Sequence, residues 1–179
     1  MVHSPLARGS LVGFGVDREI HLGAPTCGGA LELPLALTVG AWLVRDALGP
    51  MSGAMAFSVG PEFDRSAAAV ELLRLAEESE IALLVMGDGS ARRSIAAPGH
   101  LDDRAQAFDA AVATALASGD AETLADLDVE LGAELMSVGV PAWRAAGSLL
   151  AASAYRADLL ADVAPYGVGY FVARWLRDV

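Results

Sequence analysis

ALLVMGDGSARRS, residues 82–94, joins a strand-like segment to a polar loop. The apolar run has the length of a β-strand and ends at Gly87, and a carboxylate between two glycines, a hydroxyl and two adjacent arginines follow it. Binding sites of α/β proteins lie at the carboxyl ends of strands in the same way. The stretch therefore predicts a buried strand that leads into a loop able to form a site.

Apolar and amphipathic segments alternate before this loop. Residues 54–60 and 81–87 are apolar runs of strand length, and residues 62–80 between them have the periodicity of an amphipathic helix. Residues 34–49 carry an earlier helical pattern, which a Gly-Pro pair ends. Continuous apolar strands separated by helices are typical of a largely parallel sheet covered on both faces. We therefore expect an α/β fold of three α/β/α layers with a largely parallel or mixed central sheet.

The remaining segments are predicted to add short strands before this core and helices after it. Residues 10–23 are rich in β-branched and aromatic residues, which indicates one or two short strands. After the glycine loop we expect three helical segments and then two closing strands, at residues 102–120, 122–137, 141–154, 156–165 and 166–175. The length of 179 residues favours a single domain.

The charged residues exclude several classes of function. The chain has 12 Lys+Arg and 23 Asp+Glu, a net charge of −11, and every cation is an arginine. Without lysine there is no Walker A motif and no Schiff-base chemistry. An acidic protein is also a poor partner for nucleic acid, whose binding depends on many cationic contacts to phosphates.

Cysteine content and hydropathy predict where the protein works and how it assembles. The single cysteine, Cys27, excludes an intrachain disulfide and suits a reducing compartment, and no apolar run approaches the ~20 residues of a membrane helix. We therefore expect a cytoplasmic protein with no membrane partner. Hydrophobic residues make up 54% of the chain before glycine is counted, above the ~45–50% that is usual with glycine included. This excess predicts a homodimer or larger homo-oligomer, with an apolar interface above roughly 2,000 Å² in total.

The glycine loop has three interpretations. It is a structural turn, an anion site whose backbone N–H groups and forked Arg92 or Arg93 receive a carboxylate or phosphate, or the position of a catalytic carboxylate at Asp88. Because the chain turns sharply here, we expect Gly87 or Gly89 to have a positive φ, as a site-forming role for the loop requires. The candidate ligand-binding residues are Gly87, Asp88, Gly89, Ser90, Arg92 and Arg93.

The histidines offer little for a metal. The chain contains only His3, His21 and His100, and none belongs to a His-x-His or His-x-x-x-His pair. His21 lies in a strand-like stretch and His100 in a loop, where a structural role is the simpler interpretation. His3 is the best candidate ligand, because VHSP is typical of the end of a strand.

From ALLVMGDGSARRS to its end, the chain resembles the catalytic-subunit superfamily of class III extradiol ring-cleavage dioxygenases, especially a short actinobacterial-type branch. VMGDGSARRSIAAPG is similar to the strand and Ser-Gly-Asp-Leu-Ser-His-Arg loop of that family. FDAAVATALASGDAETLADLDVELGAELMSVGVPAW is similar to its helical stretch with Phe-Asp, Gly-Asp and Glu-Cys-Gly, and APYGVGYFVARW to its closing strand. The resemblance implies the three-layer fold and an Fe(II) site of two histidines and one glutamate, with a further histidine as acid and base.

The residues depart from the family at the positions that carry its chemistry. The acid/base histidine corresponds to Ala91, and the glutamate ligand corresponds to Ser137. The first histidine, in a His-x-Pro turn, would lie before residue 1 unless VHSP is a displaced version of it. The chain is thus expected to be one extradiol-dioxygenase-like domain, residues 1–179, without the opening segment of the family.

Three functional hypotheses follow. The first is a catalytically degenerate dioxygenase-like protein, a pseudoenzyme that needs no cofactor and acts by assembly or by binding a small anionic or aromatic molecule. The alternative is an active oxidoreductase that cleaves a small aromatic substrate with Fe(II), held by His3 and substitute ligands such as Asp88 or Glu134. The third is a small phosphate- or carboxylate-binding enzyme that works from Asp88.

Overall fold

A computed structural model describes residues 1–23, 30–49, 54–60, 74 and 80–177. By its internal contacts the chain divides into two compact units, Met1–Val59 and Gly60–Val179. Each unit is described by itself below. The expectation of a single domain over residues 1–179 stays a prediction.

The described part of the N-terminal unit holds one helix and four short strands. The elements are β1 (Val2–His3), β2 (Arg8–Ser10), a 3-10 turn (Val12–Phe14), β3 (Glu19–His21), α1 (Leu35–Leu48) and β4 (Ala56–Phe57). Strand β1 pairs with β4 and β2 with β3, both antiparallel. The short strands predicted within residues 10–23 are therefore confirmed in part, as β3 and the end of β2.

Helix α1 matches its sequence signals. Gly49 ends the helix, with φ of 79° and its N–H donated to the carbonyl of Arg45. This confirms the predicted helix at residues 34–49. Helix α1 packs closely on β2 at Thr38. The Thr38 side chain lies against Gly9, where any residue with a side chain would clash with it. The Thr38 hydroxyl is satisfied by donating to the carbonyls of Leu33 and Pro34, at 3.2 and 3.0 Å.

The described part of the C-terminal unit holds four helices followed by a β-hairpin. The elements are α2 (Arg104–Ser118), α3 (Ala121–Ala125), α4 (Val129–Glu134), α5 (Val140–Leu150), β5 (Tyr155–Val163) and β6 (Tyr170–Arg177). These bounds confirm the helices predicted at residues 102–120 and 141–154. The segment 122–137 forms two short helices instead of one, because Asp120 caps α3 and Asp128 caps α4 through their carboxylates.

One apolar core joins these helices to the hairpin. Its buried residues are Ala105, Phe108, Val112, Ala115, Leu124, Leu127, Leu135, Val140 and Trp143. From the hairpin, Phe171 meets Trp143 edge-on with ring centroids 5.9 Å apart, and the Trp175 indole N–H donates to the carbonyl of Leu116 at 2.8 Å. The predicted closing strands are confirmed as β5 and β6, which pair antiparallel from Tyr155 opposite Arg177 to Val163 opposite Tyr170.

The predicted three-layer architecture is wrong. The described residues contain three two-stranded antiparallel sheets, and the one parallel contact among them is an isolated bridge between Arg8 and Leu31. Residues 81–87 form no strand, and Leu83 and Leu84 are 44% and 53% exposed. An apolar run of strand length becomes a strand only when another strand accepts its backbone hydrogen bonds, and the pattern of one segment does not identify that partner.

Two further predicted elements have different outcomes. The strand at residues 54–60 shrinks to the two residues Ala56 and Phe57, with only Ala56 buried. The helix at residues 62–80 lies outside the described residues apart from positions 74 and 80. Within the described part of the chain, no helix is both long enough and apolar enough to cross a membrane.

The core of the C-terminal unit gives a test of this architecture. Leu135 is fully buried in the core cluster, whereas Leu160 on β5 is 60% exposed. Leu135→Ala should destabilise the protein by about 2–5 kcal/mol, because it removes buried contacts and leaves a cavity. Leu160→Ala, the matched control, should cost less than about 1 kcal/mol. Urea unfolding of both variants measures the difference, and equal losses would contradict the described core.

Candidate functional site

The glycine loop lies against the turn between β5 and β6. The Gly89 N–H donates to the carbonyl of Gly169 at 2.7 Å, and the Gly169 N–H donates to the carbonyl of Ser90 at 2.9 Å. Further along, the Arg93 N–H donates to the carbonyl of Gly167 at 2.9 Å. These backbone bonds fix the loop to a hairpin turn that is about 80 positions later in the sequence.

A buried carboxylate of α2 accepts hydrogen bonds from the same loop. Asp109 is 1% exposed and accepts the Ser90 N–H and the Ser90 hydroxyl, both at 2.8 Å. The guanidinium of Arg93 completes the arrangement with an ion pair of 3.1 Å to Asp109. Two of the predicted ligand-binding side chains, Ser90 and Arg93, are therefore occupied by a structural partner.

The segment between α4 and α5 holds the other side of the loop. The Ala91 N–H donates to the carbonyl of Leu135 at 3.0 Å. The carbonyl of Asp88 accepts the Gly139 N–H at 3.0 Å and the Ser137 hydroxyl at 3.2 Å. The loop is thus enclosed between the hairpin turn, α2 and the α4–α5 segment.

The glycines of the loop are required by close packing, and the expected positive φ is wrong. Neither Gly87 nor Gly89 is among the glycines with positive φ. Gly87 instead lies against the Cα of Gly139. A Cβ on Gly89 would lie 2.9 Å from the Phe171 ring and 3.0 Å from Asp109 Oδ1. The site-forming role that we expected of these two glycines is therefore wrong, and any site here depends on the side chains that follow them.

Arg92 makes contacts different from those of Arg93. Its Nε atom is buried and has no hydrogen-bond partner among the described residues. The aliphatic stem of Arg92 packs on Gly99, since a Cβ there would lie 2.6 Å from both Arg92 Cγ and Met136 Sδ. Of the two adjacent arginines, Arg92 is therefore the one whose guanidinium retains capacity to bind an acceptor.

A carboxylate close in sequence to Arg92 is engaged by another arginine. The Asp102 N–H donates to the carbonyl of Arg92 at 3.0 Å, which places Asp102 beside the loop. Its carboxylate accepts hydrogen bonds from Arg104 at 2.8 and 3.0 Å, and these bonds lower the pKa of Asp102 to about 2. Arg104 also pairs with Glu134 at 2.7 Å. This network connects the loop region to α4.

The backbone around Arg92 is unusual. His100 and Met136 have φ of 61° and 56°, and they are the non-glycine residues with positive φ in the described part of the chain. His100 follows Gly99 directly, and the Met136 side chain packs on Gly99. A positive backbone φ at a residue with a long side chain, such as Met, costs free energy that the surrounding structure must offset. Residues with such strained backbone angles cluster at binding sites.

Asp88 keeps a free carboxylate. Its main-chain carbonyl is held as described, but its carboxylate accepts no hydrogen bond from any residue that the structure describes. The residue is exposed as a whole, yet burial of part of the carboxyl raises the pKa of Asp88 above its usual value. Of the six predicted ligand-binding residues, Asp88 and Arg92 are those with available side-chain groups.

Two of the candidate metal ligands, His3 and Glu134, each have a partner within their own unit. His3 belongs to the N-terminal unit, is 6% exposed, and shares a hydrogen bond of 3.0 Å between its Nε2 and the Ser58 hydroxyl. Glu134 is occupied by Arg104. No cluster of three or more His, Cys, Asp or Glu residues suited to a metal ion occurs within the ranges that the structure covers.

Asp109 is the central residue that sequence reasoning missed. It lies on the face of α2 that carries Ala105, Val112 and Ala113, all buried. A single carboxylate on an otherwise apolar helical face is rarely left without a partner, because a buried charge must be paired. That pattern is the sequence signal that could have identified it.

Comparison of the chain with models of known protein families, with curated proteins and with solved structures gave no match. The functional argument therefore depends on the residues of the site.

The packing of the loop can be tested at Gly89. Gly89→Ala should destabilise the protein by about 1–3 kcal/mol, because the added methyl group meets Asp109, Gly169 and Phe171 at 2.9–3.0 Å. The matched control is Gly13→Ala in the 3-10 turn, where a Cβ would have no neighbour within 4 Å. Thermal unfolding of both variants measures the effect. A Gly89→Ala protein as stable as the control would show that the loop is not confined in this way.

Proposed function

We propose that this chain binds a small oxyanion, a carboxylate or a phosphate, through Arg92, and that it has no ring-cleaving activity. The observation that carries the proposal is the buried Nε of Arg92, which has no acceptor among the described residues. A buried donor without a partner costs about 1–3 kcal/mol, and more when the group is charged. An oxyanion at this position removes that cost with a charge-assisted hydrogen bond.

The difference in hydrogen-bond partners between Arg92 and Arg93 supports this assignment. Arg93 neutralises the buried Asp109 and cannot bind a ligand without leaving that carboxylate unpaired. Arg92 forms no ion pair among the described residues; the carboxylate of Asp102 is held by hydrogen bonds from Arg104, and the charge of Arg92 contributes less to lowering the pKa of Asp102. The proposed anion site therefore centres on the side chain of Arg92, with Asp88, whose pKa is raised by partial burial, as a neighbour in sequence.

Two positions support the absence of ring cleavage. Ala91, which corresponds to the acid/base histidine of the extradiol dioxygenases that the sequence resembles, is buried and carries no titratable group. Ser137, at the position of their glutamate ligand, donates its hydroxyl to the carbonyl of Asp88. Both positions lie at the glycine loop, where they contribute packing and backbone support. No contact in the described residues favours the Fe(II)-dependent alternative over this proposal.

The proposal is tested by anion binding to the whole chain. We expect inorganic phosphate or succinate, at constant ionic strength, to raise the melting temperature in a saturable manner. Arg92→Met keeps the stem that packs on Gly99 and removes the guanidinium, so it should weaken the anion affinity by about tenfold or more. The matched control is Arg156→Met, at an exposed arginine of β5, and it should bind as the original chain does. Equal saturation curves for Arg92→Met and the original chain, or no saturation with either anion, would refute the proposal.

A second role in self-association is favoured by one specific observation. Ile81, Leu83 and Leu84 lie 43–53% exposed in a segment with no strand partner among the described residues. Large apolar side chains that are exposed close together along the chain are typical of an interface. They support the expected homo-oligomer, which stays a proposal.

Sedimentation at low micromolar concentration tests this second role. The chain should sediment as a dimer or larger species, and the double variant Leu83→Asp, Leu84→Asp should shift it to the monomer, because two buried charges would oppose the interface. The control Leu43→Asp changes an exposed leucine of α1 and should leave the assembly intact. A monomeric original chain would overturn the expectation.

A further inference from the structure

A cleft in the N-terminal unit has the composition of a binding site for an aromatic anion. It is a shallow, solvent-open space of about 470 Å³ between β3 and α1, and it is lined by Arg18, Glu19, Ile20, His21, Trp42, Arg45 and Asp46. This volume falls in the range of roughly 300–1,000 Å³ that is usual for sites of small molecules. All of the lining residues belong to the same unit, Met1–Val59.

Regular secondary structure presents these side chains together. Trp42, Arg45 and Asp46 are spaced by three and four residues, so they share one face of α1. Along β3, Ile20 is 4% exposed and points into the unit, whereas Glu19 and His21 point to its other side. The cleft is thus formed by one face of α1 and by the four consecutive residues 18–21 at β3.

The charges in the cleft leave two arginines available. Glu19 forms an ion pair with Arg8 at 2.5 Å and is neutralised. Neither Arg18 nor Arg45 forms an ion pair within the described part of the chain. Two such arginines in one cleft are unusual for a chain with a net charge of −11, in which carboxylates outnumber arginines by about two to one.

An aromatic surface lies next to these charges. The guanidinium of Arg18 lies over the Trp42 ring, 5.4 Å from its centroid. Arginine in this position is held by the electrostatic attraction of the ring face and adds to a flat stacking surface. Arg45 is one helical turn from Trp42 and presents a planar fork that matches a carboxylate.

We propose that this cleft binds a planar aromatic monocarboxylate, with its ring stacked at Trp42 and Arg18 and its carboxylate on Arg45. The ligand carries a single negative charge, because Asp46 lines the same cleft and opposes a second one. The ring accounts for the aromatic surface and the carboxylate for the unpaired arginine. The residues of this cleft belong to the unit Met1–Val59, and Arg92 belongs to the unit Gly60–Val179.

The test uses 2-naphthoate and isothermal titration of the whole chain. Arg45→Gln should weaken binding by about tenfold or more, since it replaces a charged fork by a neutral amide. Trp42→Leu should weaken it by a similar factor, and the neutral analogue 2-naphthamide should bind at least about tenfold more weakly than the anion. Arg156→Gln, at an exposed arginine outside the cleft, is the matched control and should leave the affinity unchanged. Circular dichroism establishes that each variant is folded.

Three results would overturn the proposal. They are equal naphthoate affinity in Arg45→Gln and the original chain, equal affinity for the acid and the amide, and loss of binding in Arg92→Met with Arg45→Gln unaffected. The last result would place the ligand at the glycine loop. Because inorganic phosphate reports on Arg92 and naphthoate on Arg45, either proposal can fail while the other stands.

Discussion

The buried carboxylate of Asp109 is the constraint that the glycine loop depends on. An ionised group that is 1% exposed is tolerated only when hydrogen bonds and an opposite charge replace its water. Ser90 supplies two donors and Arg93 a third, at 2.8–3.1 Å. Removing one partner from such an arrangement typically costs about 3–5 kcal/mol. The carboxylate therefore determines both where the loop runs and which way Arg93 points.

The rest of the site follows from that arrangement. Arg93 is paired with Asp109, whereas the stem of the adjacent Arg92 packs along Gly99. Gly169 also packs against the carboxylate, since a Cβ on Gly169 would lie 2.5 Å from Asp109 Oδ2. The small residues of the loop and of the hairpin turn thus allow close approach of backbones around a single charged group, and one arginine remains available for a ligand.

Local patterns predicted the local structure well. The amphipathic pattern at residues 102–120 and the apolar closing segments predicted α2 and the β5–β6 hairpin, because helix periodicity and strand alternation depend on residues close in sequence. The same approach was wrong for residues 81–87, where the pattern lacked information about a pairing strand. It was also wrong about the glycines, since a residue type that permits positive φ equally permits close packing. Six site residues were predicted together, but their sequence did not distinguish Arg92 from Arg93.

The sequence by itself determined helices α1, α2 and α5, the hairpin, the acidic charge without lysine, and the concentration of polar groups at residues 87–94. Only the tertiary structure decided which of these polar groups are available. Ser90 and Arg93 are occupied because α2 brings Asp109 to them from 16 or more positions away, whereas the Arg92 Nε meets no acceptor among the described residues. In the N-terminal unit, likewise, only packing brings Arg18 over Trp42 across 24 positions of sequence. Hydrogen bonds and ion pairs extend only a few ångströms, so the use of a charged side chain depends on neighbours that the chain brings together by folding.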